Sequence, residues 1–338
     1  SVSSLAAQTA TTAPVGYVSF PLAANSDLKV GLPMQSSKSF SGAVSSVLAG
    51  DVTVDGTVSD LTTEPHFLLV TSDNGLQGNW YTITGATGSV ISVAEDLALA
   101  GLTSTDTVCA VKFWTLDALF PGGGAVPASS NVFAPVAQVL LNDATATGIN
   151  LTPASAYLYH DGTQGPAGWY NAGNPAGGLA GDTVINPETF IIVRNNTVTA
   201  ATITMSGAVP TSSIATSVLS RSAGQQDSLI FNPFPSAITL GASGLDTSTA
   251  VRASSNVFAP LDQVLLFDAN STGLNNTPIS AYLYHDGTQG PAGWYDAGNP
   301  AAGLQDAVGI PAGAPVLIRR AIGSDELVTW TPSLPYTL

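Results

Sequence analysis

Short runs of alternating apolar and polar residues fill most of this chain, separated by Gly, Pro, Asn and Asp. HFLLV at 66–70 and NWYTIT at 79–84 flank SDNG, which predicts a hairpin with an Asn-Gly turn. GATGS then leads into VISVA at 90–94, making a meander, and DVTVDGTV at 51–58 reads as a short pair around Asp55-Gly56. TFIIVRN at 189–195 and ATITMS at 201–206 flank a polar turn, as do PVLIRRA at 315–321 and ELVTWT at 326–331. Helical spacing is rare. SVAEDLALAG has a capping-box start at Ser92 with Glu95 and a stop at Gly101, and TLDALF at 115–120 adds one turn before Pro121. No helix is long enough to cover a parallel sheet, so the pattern predicts an all-β chain of antiparallel β-sandwich or barrel-like domains.

A tandem repeat of 125 residues is superimposed on that pattern. SAYLYHDGTQGPAGWY at 155–170 recurs letter for letter at 280–295. ASSNVFAP (128–135 and 253–260), QVLL (138–141 and 263–266) and AGNPA (172–176 and 297–301) keep the same shift, and Arg194 aligns with Arg319. Large fixed-period repeats point to units that stack or assemble. With the linker PGGGAVPASS at 121–130, the expected division is an extended leader over 1–14, an N-terminal β domain over 15–127, one copy over 128–212 and a second, with connecting strands, over 213–338. SLIFNPFPSAITL at 228–240 also echoes DLKVGLPMQSSKSF at 27–40: a strand, a proline and a second strand.

Composition narrows the function classes. Of 338 residues 44% are hydrophobic and only 9% charged, against about 25% charged in an ordinary soluble domain. Apolar content suffices for a large core, while the surface is left to hydroxyls, amides and backbone. No apolar run reaches the roughly 20 residues of a spanning helix. The net charge of −15 disfavours nucleic acid and anionic membrane as partners, which require clustered Lys and Arg. The single cysteine, Cys109 in TVCAVKFW, reads as a buried strand thiol. A start at Ser1 suits an exported product whose signal peptide has been removed.

The repeated hairpin holds most of the candidate chemistry. Side chains alternate along a strand, so Tyr157 and Tyr159 share a face, as do Tyr282 and Tyr284. Trp169 and Tyr170, with Trp294 and Tyr295, complete one aromatic group per copy. Three readings stand open: the rings fill the hairpin's own core, anchor a subunit interface, or stack on sugar rings. His160-Asp161 and His285-Asp286 lack a nucleophile and an orienting group, and Asp before Gly is a turn former. Three scattered histidines and one cysteine do not make a zinc site. Loop oxygens suit calcium, with Asp143, Asp161, Asp268 and Asp286 as candidate ligands, and no other cofactor is expected. NxT/S sequons start at Asn150, Asn195, Asn270 and Asn275.

Several blocks in one order carry a resemblance. PVGYVSFPLAANSDLKVGLPM (14–34), KFWTLDALFP (112–121), QVLLNDATATGIN (138–150), ETFIIVRNNTVTAATITMSGAVPT (188–211) and QQDSLIFNPFPSAITLGASGL (225–245) resemble an uncharacterised family of exported, β-rich bacterial proteins with PVGF…LPL and WTL…LF elements. The resemblance implies secretion and no assigned enzymatic role, and it supplies no catalytic residues.

Together these features predict a secreted, extracellular or cell-surface structural protein, not an enzyme. Its subunits would associate with one another into a filament, tube or surface layer. Low charge density reduces the desolvation cost of large interfaces. The uncharged leader, with Val2, Leu5 and Val15 as its apolar positions, would add as a strand to the sheet edge of the next subunit. The competing expectation is a secreted carbohydrate-binding or adhesive module whose two equivalent aromatic loops contact cell-surface polysaccharide with avidity. A hydrolase using dispersed carboxylates is the third.

Overall fold

Two strands near the start, β1 (Val15–Leu22) and β2 (Ser26–Val30), pair with nothing that immediately follows them. The computed structural model describes residues 14–337 apart from positions 59 and 269, so Val2 and Leu5 of the leader lie outside the described residues. After β2 come β3 (Lys38–Leu48), β4 (Asp51–Val54), β5 (His66–Val70), β6 (Trp80–Thr87), β7 (Val90–Val93) and β8 (Thr107–Lys112). They close into an antiparallel barrel in the order β3-β4-β7-β6-β5-β8. The chain then continues through β9 (Ala137–Leu141), β10 (Ser155–His160), β11 (Gly168–Asn171), β12 (Ile191–Asn195) and β13 (Ala201–Ala208). β1 pairs with β13, and β2 with β12, so the sheet order is β11-β10-β9-β12-β2 and the barrel is an insertion.

The remaining strands rebuild that arrangement. They are β14 (Thr216–Ser220), β15 (Gln226–Phe231), β16 (Ile238–Thr239), β17 (Gln263–Leu266), β18 (Ser280–His285), β19 (Gly293–Asp296), β20 (Gly309–Ile310), β21 (Pro315–Arg320) and β22 (Glu326–Trp330). Their sheet runs β15-β21-β17-β18-β19, while β14 pairs with β22. Registers correspond residue by residue: Arg194 faces Asp27 and Gln138, and Arg319 faces Asp227 and Gln263. Each module thus has a five-stranded sheet and a two-stranded ribbon; the first alone carries the barrel, and the second alone adds the short β16-β20 pair. The proline echo falls on corresponding positions, Pro33 following β2 as Pro233 follows β15.

The expected unit over 15–127 is therefore corrected. β1 and β2 belong to the first module because Leu22, Val30 and Leu32 are buried in its core with Val139, Trp169 and Val193. Within the barrel, DVTVDGTV supplies one strand and not a pair: β4 bonds to β3 and β7. The helix expected from Ser92 also starts later. Ser92 is held in β7 by pairing with β4 and β6, and α1 (Leu97–Ala100) begins after Asp96, whose carboxylate accepts from the Leu99 N–H at 2.9 Å. Strand pairing on both sides outweighs a local capping signal. α2 (Leu116–Leu119) is the expected single turn, capped by Thr115.

All five residues of β5 are buried because two cores meet there. Leu68 and Val70 face the barrel interior with Val44, Val52, Ile91 and Val108. Phe67 and Leu69 face outward, with Cys109, Val111, Phe113 and Trp80, against Ile214 of the second module. Cys109 is wholly buried, and burial pushes its thiol up to about 11, so it stays protonated and inert.

Candidate functional site

The repeated hairpins form as expected, with β10 on β11 and β18 on β19, Tyr159 opposite Trp169 and Tyr284 opposite Trp294. Their tryptophans are at 0% exposure, and Tyr157, Tyr170, Tyr282 and Tyr295 are buried too. Trp169 packs edge-on against Tyr159 at 5.5 Å and tilted against Phe120 at 5.8 Å; Trp294 meets Tyr284 at 5.4 Å. Of the three readings open for these rings, packing in the hairpin's own core fits the burial of both tryptophans and of Tyr157, Tyr170, Tyr282 and Tyr295, while Tyr159 and Tyr284 lie half-buried against the same cores. Hairpin identity has a local cause as well. His160 Nδ1 accepts from the Gly162 N–H, Tyr170 donates to the Pro166 carbonyl, and Asp161 accepts both the N–H and the hydroxyl of Thr163. The same bonds recur around His285, Tyr295 and Asp286. Each of those residues specifies the turn.

What the hairpins support is an exposed phenylalanine. In NVFAP of each copy the ring stands in solvent, Phe133 at 79% and Phe258 at 80% exposure. The loop is fastened identically in both. Asn131 Oδ1 accepts from the Phe133 N–H and Ser129 Oγ from the Val136 N–H; Asn256 and Ser254 do the same for Phe258 and Leu261. Thr163 and Thr288 at the hairpin tips donate to the carbonyls of Ser130 and Ser255, joining tip and loop. Two rigid, equivalent, exposed aromatic tips result, one per module. Sequence reading missed them, although ASSNVFAP was among the repeated blocks, because nothing in the letters distinguishes an outward Phe from an inward one.

The modules are clasped by a reciprocal exchange of loops. Arg194 donates to both carboxylate oxygens of Asp27 at 2.8 Å, and the second module's Asn275 N–H reaches Asp27 Oδ2 at 2.7 Å. Conversely, Arg319 grips Asp227 at 2.8 Å, and the first module's Asn150 N–H reaches Asp227 Oδ2 at 2.8 Å. Asn150 and Asn275 both sit at left-handed φ, 55° and 56°, which Asn tolerates. Their side-chain oxygens accept from Arg319 and Arg194, which explains two of the sequons as clasp residues; Asn195, at a third, is fully buried. Burial alone would raise the Asp27 carboxyl, but the Arg194 and Asn275 hydrogen bonds and the Arg194 charge together hold it below its ordinary value. Gly31 and Phe231 also occupy equivalent positions, and a Cβ on Gly31 would lie 2.0 Å from the Phe231 ring.

This approximate two-fold relation generates two equivalent clefts between the modules, and they differ. One, lined by Thr216, Ser217, Leu229, Leu151, Glu188 and Thr189, encloses only about 10 Å³. Glu188 fills it, accepting from Trp80 Nε1 of the barrel at 3.0 Å and from the Ser217 N–H at 3.1 Å. Burial pushes its carboxyl up, against those donors. In the other, the corresponding positions are Val18, Ser19, Lys29, Asn276, Gly313 and Ala314, and a cleft of about 500 Å³ remains open.

The calcium candidates are not brought together. Asp143, Asp161 and Asp286 each bind a threonine two residues on, Asp268 binds the Asn270 N–H, and no cluster of three or more His, Cys, Asp or Glu suited to a metal occurs among the described residues. No helix among the described residues is long and apolar enough to cross a membrane. Comparison with family models, with curated proteins and with solved structures finds no match to this chain. The resemblance to exported bacterial proteins thus rests on its sequence blocks alone.

Proposed function

We propose that this chain is an exported structural protein that polymerises outside the cell through its two phenylalanine tips. The observation that carries the reading is the pair of equivalent aromatics, Phe133 and Phe258, both about four-fifths exposed on loops fixed by the same bonds. A solitary exposed aromatic is ordinary, but the same one kept outward twice, on a rigid mount, supports a contact surface. Its occupant is a second copy of the chain. A subunit with two equivalent self-pairing tips is bivalent, so each isologous contact leaves one tip free and the assembly extends. Low charge density lowers the cost of burying the surrounding hydroxyl- and amide-rich surface.

Negative-stain microscopy and analytical ultracentrifugation test this across concentration. The wild type forms filaments, tubes or sheets. Phe258→Ser, with one tip left, stops at dimers, and the Phe133→Ser/Phe258→Ser double variant is monomeric. A wild type that stays monomeric at every concentration, or a double variant that still polymerises, overturns the reading. The carbohydrate alternative keeps one supporting observation, the exposed polar tips around Gln164 and Gln289, each joined to the Phe loop of its own module. It predicts a monomer whose migration in affinity gels is retarded by polysaccharide and restored by the double variant.

A further inference from the structure

The open cleft between the modules has the make-up of a ligand site, and its sister shows what fits. One part of its wall is apolar, built from Val18, Phe20, Leu28, Phe267 and Pro315, the rest is hydroxyls, amides and carboxylates, and Lys29 stands between the two. Lys29 Nζ donates to the Asn276 carbonyl at 2.5 Å and lies 4.9 Å from the centre of the Phe267 ring. Two carboxylates also line the cleft: Asp27 is taken up by Arg194 and the Asn275 N–H, and Asp268 accepts from the Asn270 N–H. An ammonium with spare donors therefore borders an amphipathic cavity of about 500 Å³.

In the sister cleft the corresponding space holds a carboxylate on an aliphatic stem, the side chain of Glu188, received by Ser217. Ser19 corresponds to Ser217 by register, since Ser19 faces Thr204 as Ser217 faces Thr329. Where Glu188 would stand, the open cleft has Gly313, and where Leu229 stands it has Lys29. One cleft thus contains the chain's own carboxylate, while the equivalent cleft has a glycine in that place, a cation beside it and open room.

We propose that the open cleft binds a small amphipathic carboxylate, its head at Lys29 beside Ser19 and its apolar body along Phe20, Phe267 and Pro315. The site is independent of the phenylalanine tips and of whether the chain polymerises.

Isothermal titration of the full chain with octanoate, octylammonium and octan-1-ol tests it. Octanoate binds saturably with one site per chain, and the cation and the alcohol bind at least about tenfold more weakly, the size of one charge-assisted hydrogen bond. Lys29→Leu, which installs the sister residue, loses about the same factor for octanoate, whereas Lys29→Arg retains it. The comparison among the three ligands needs no variant, so it stands even if Lys29→Leu folds poorly. No saturable heat at millimolar octanoate, equal affinity for octanoate and octylammonium, or full affinity in a folded Lys29→Leu would each overturn the proposal.

Discussion

Trp169 and Phe133 lie in one module, both aromatic and both in repeated blocks, yet they face opposite environments. Trp169 is enclosed by Tyr159, Phe120 and the strands of the first core, while Phe133 projects from an Asx-type turn into solvent. Truncation should therefore separate them. Trp169→Ala leaves a cavity and is expected to cost about 3–5 kcal/mol, whereas Phe133→Ser stays within about 0.5 kcal/mol of the wild type. Urea unfolding followed by circular dichroism reads both. A Trp169→Ala variant as stable as the wild type would mean that the hairpin is not core. Alternation told the sequence reader that Tyr157 and Tyr159 share a face, and they do. It carried no sign of which face is inside, because both copies of the loop are equally rich in aromatics and in Gly. Burial is decided by what packs on the hairpin from elsewhere, here α2 and the turn after it, through Phe120.

The loops that reach across between modules work as a pair of clasps, and their symmetry makes a double test. Asp27→Asn and Asp227→Asn each leave an arginine without its carboxylate and weaken one crossing loop. Arg194 and Arg319 are about a quarter exposed (23% and 24%), so water relieves part of the loss and the cost of each substitution is about 2–3 kcal/mol. Because the clasps share the same two modules, the double variant should depart from additivity, as a double-mutant cycle in guanidinium would show. Strict additivity would mean that the loops act separately. The sequence made half of each clasp legible: Arg194 and Arg319 are 125 positions apart like the rest of the repeat, but Asp27 and Asp227 are 200 apart. The barrel inserted after β2 stretches the first copy, so a fixed-period alignment begins in mid-module and leaves two strands unassigned. For the same reason the strands themselves were readable, their local pattern being intact, while the partners of β1 and β2 were not. Lys29 and Glu188 were invisible for a further reason: a cleft between modules is a property of two registers at once.

In the whole molecule, acid and alkali should act on the junction through different carboxylates. Asp27 is held below its ordinary value of 3.8, so the stability it contributes is fully present above that value and is lost as pH falls through its folded value. Glu188 is the reverse case. Its carboxyl is raised above the ordinary 4.5, so the folded chain holds that proton more tightly than the unfolded one, and the associated stability is lost as pH rises through the folded value. The junction is therefore firmest in a mildly acidic window, between the fall on the Asp27 side and the fall on the Glu188 side. Glu188→Gln keeps the shape and an acceptor for Trp80 but cannot ionise. Calorimetric melting from about pH 3 to about pH 8 should show the wild type losing stability above the ordinary Glu value relative to Glu188→Gln, with the two curves converging below it. Asp27→Asn should show the mirror image, its deficit shrinking as acid protonates Asp27 in the wild type. Parallel wild-type and Glu188→Gln curves across that range would show that the Glu188 carboxyl titrates in the fold as it does in the unfolded chain. The three donors around it, Trp80 Nε1 and the N–H and hydroxyl of Ser217, would then offset its burial.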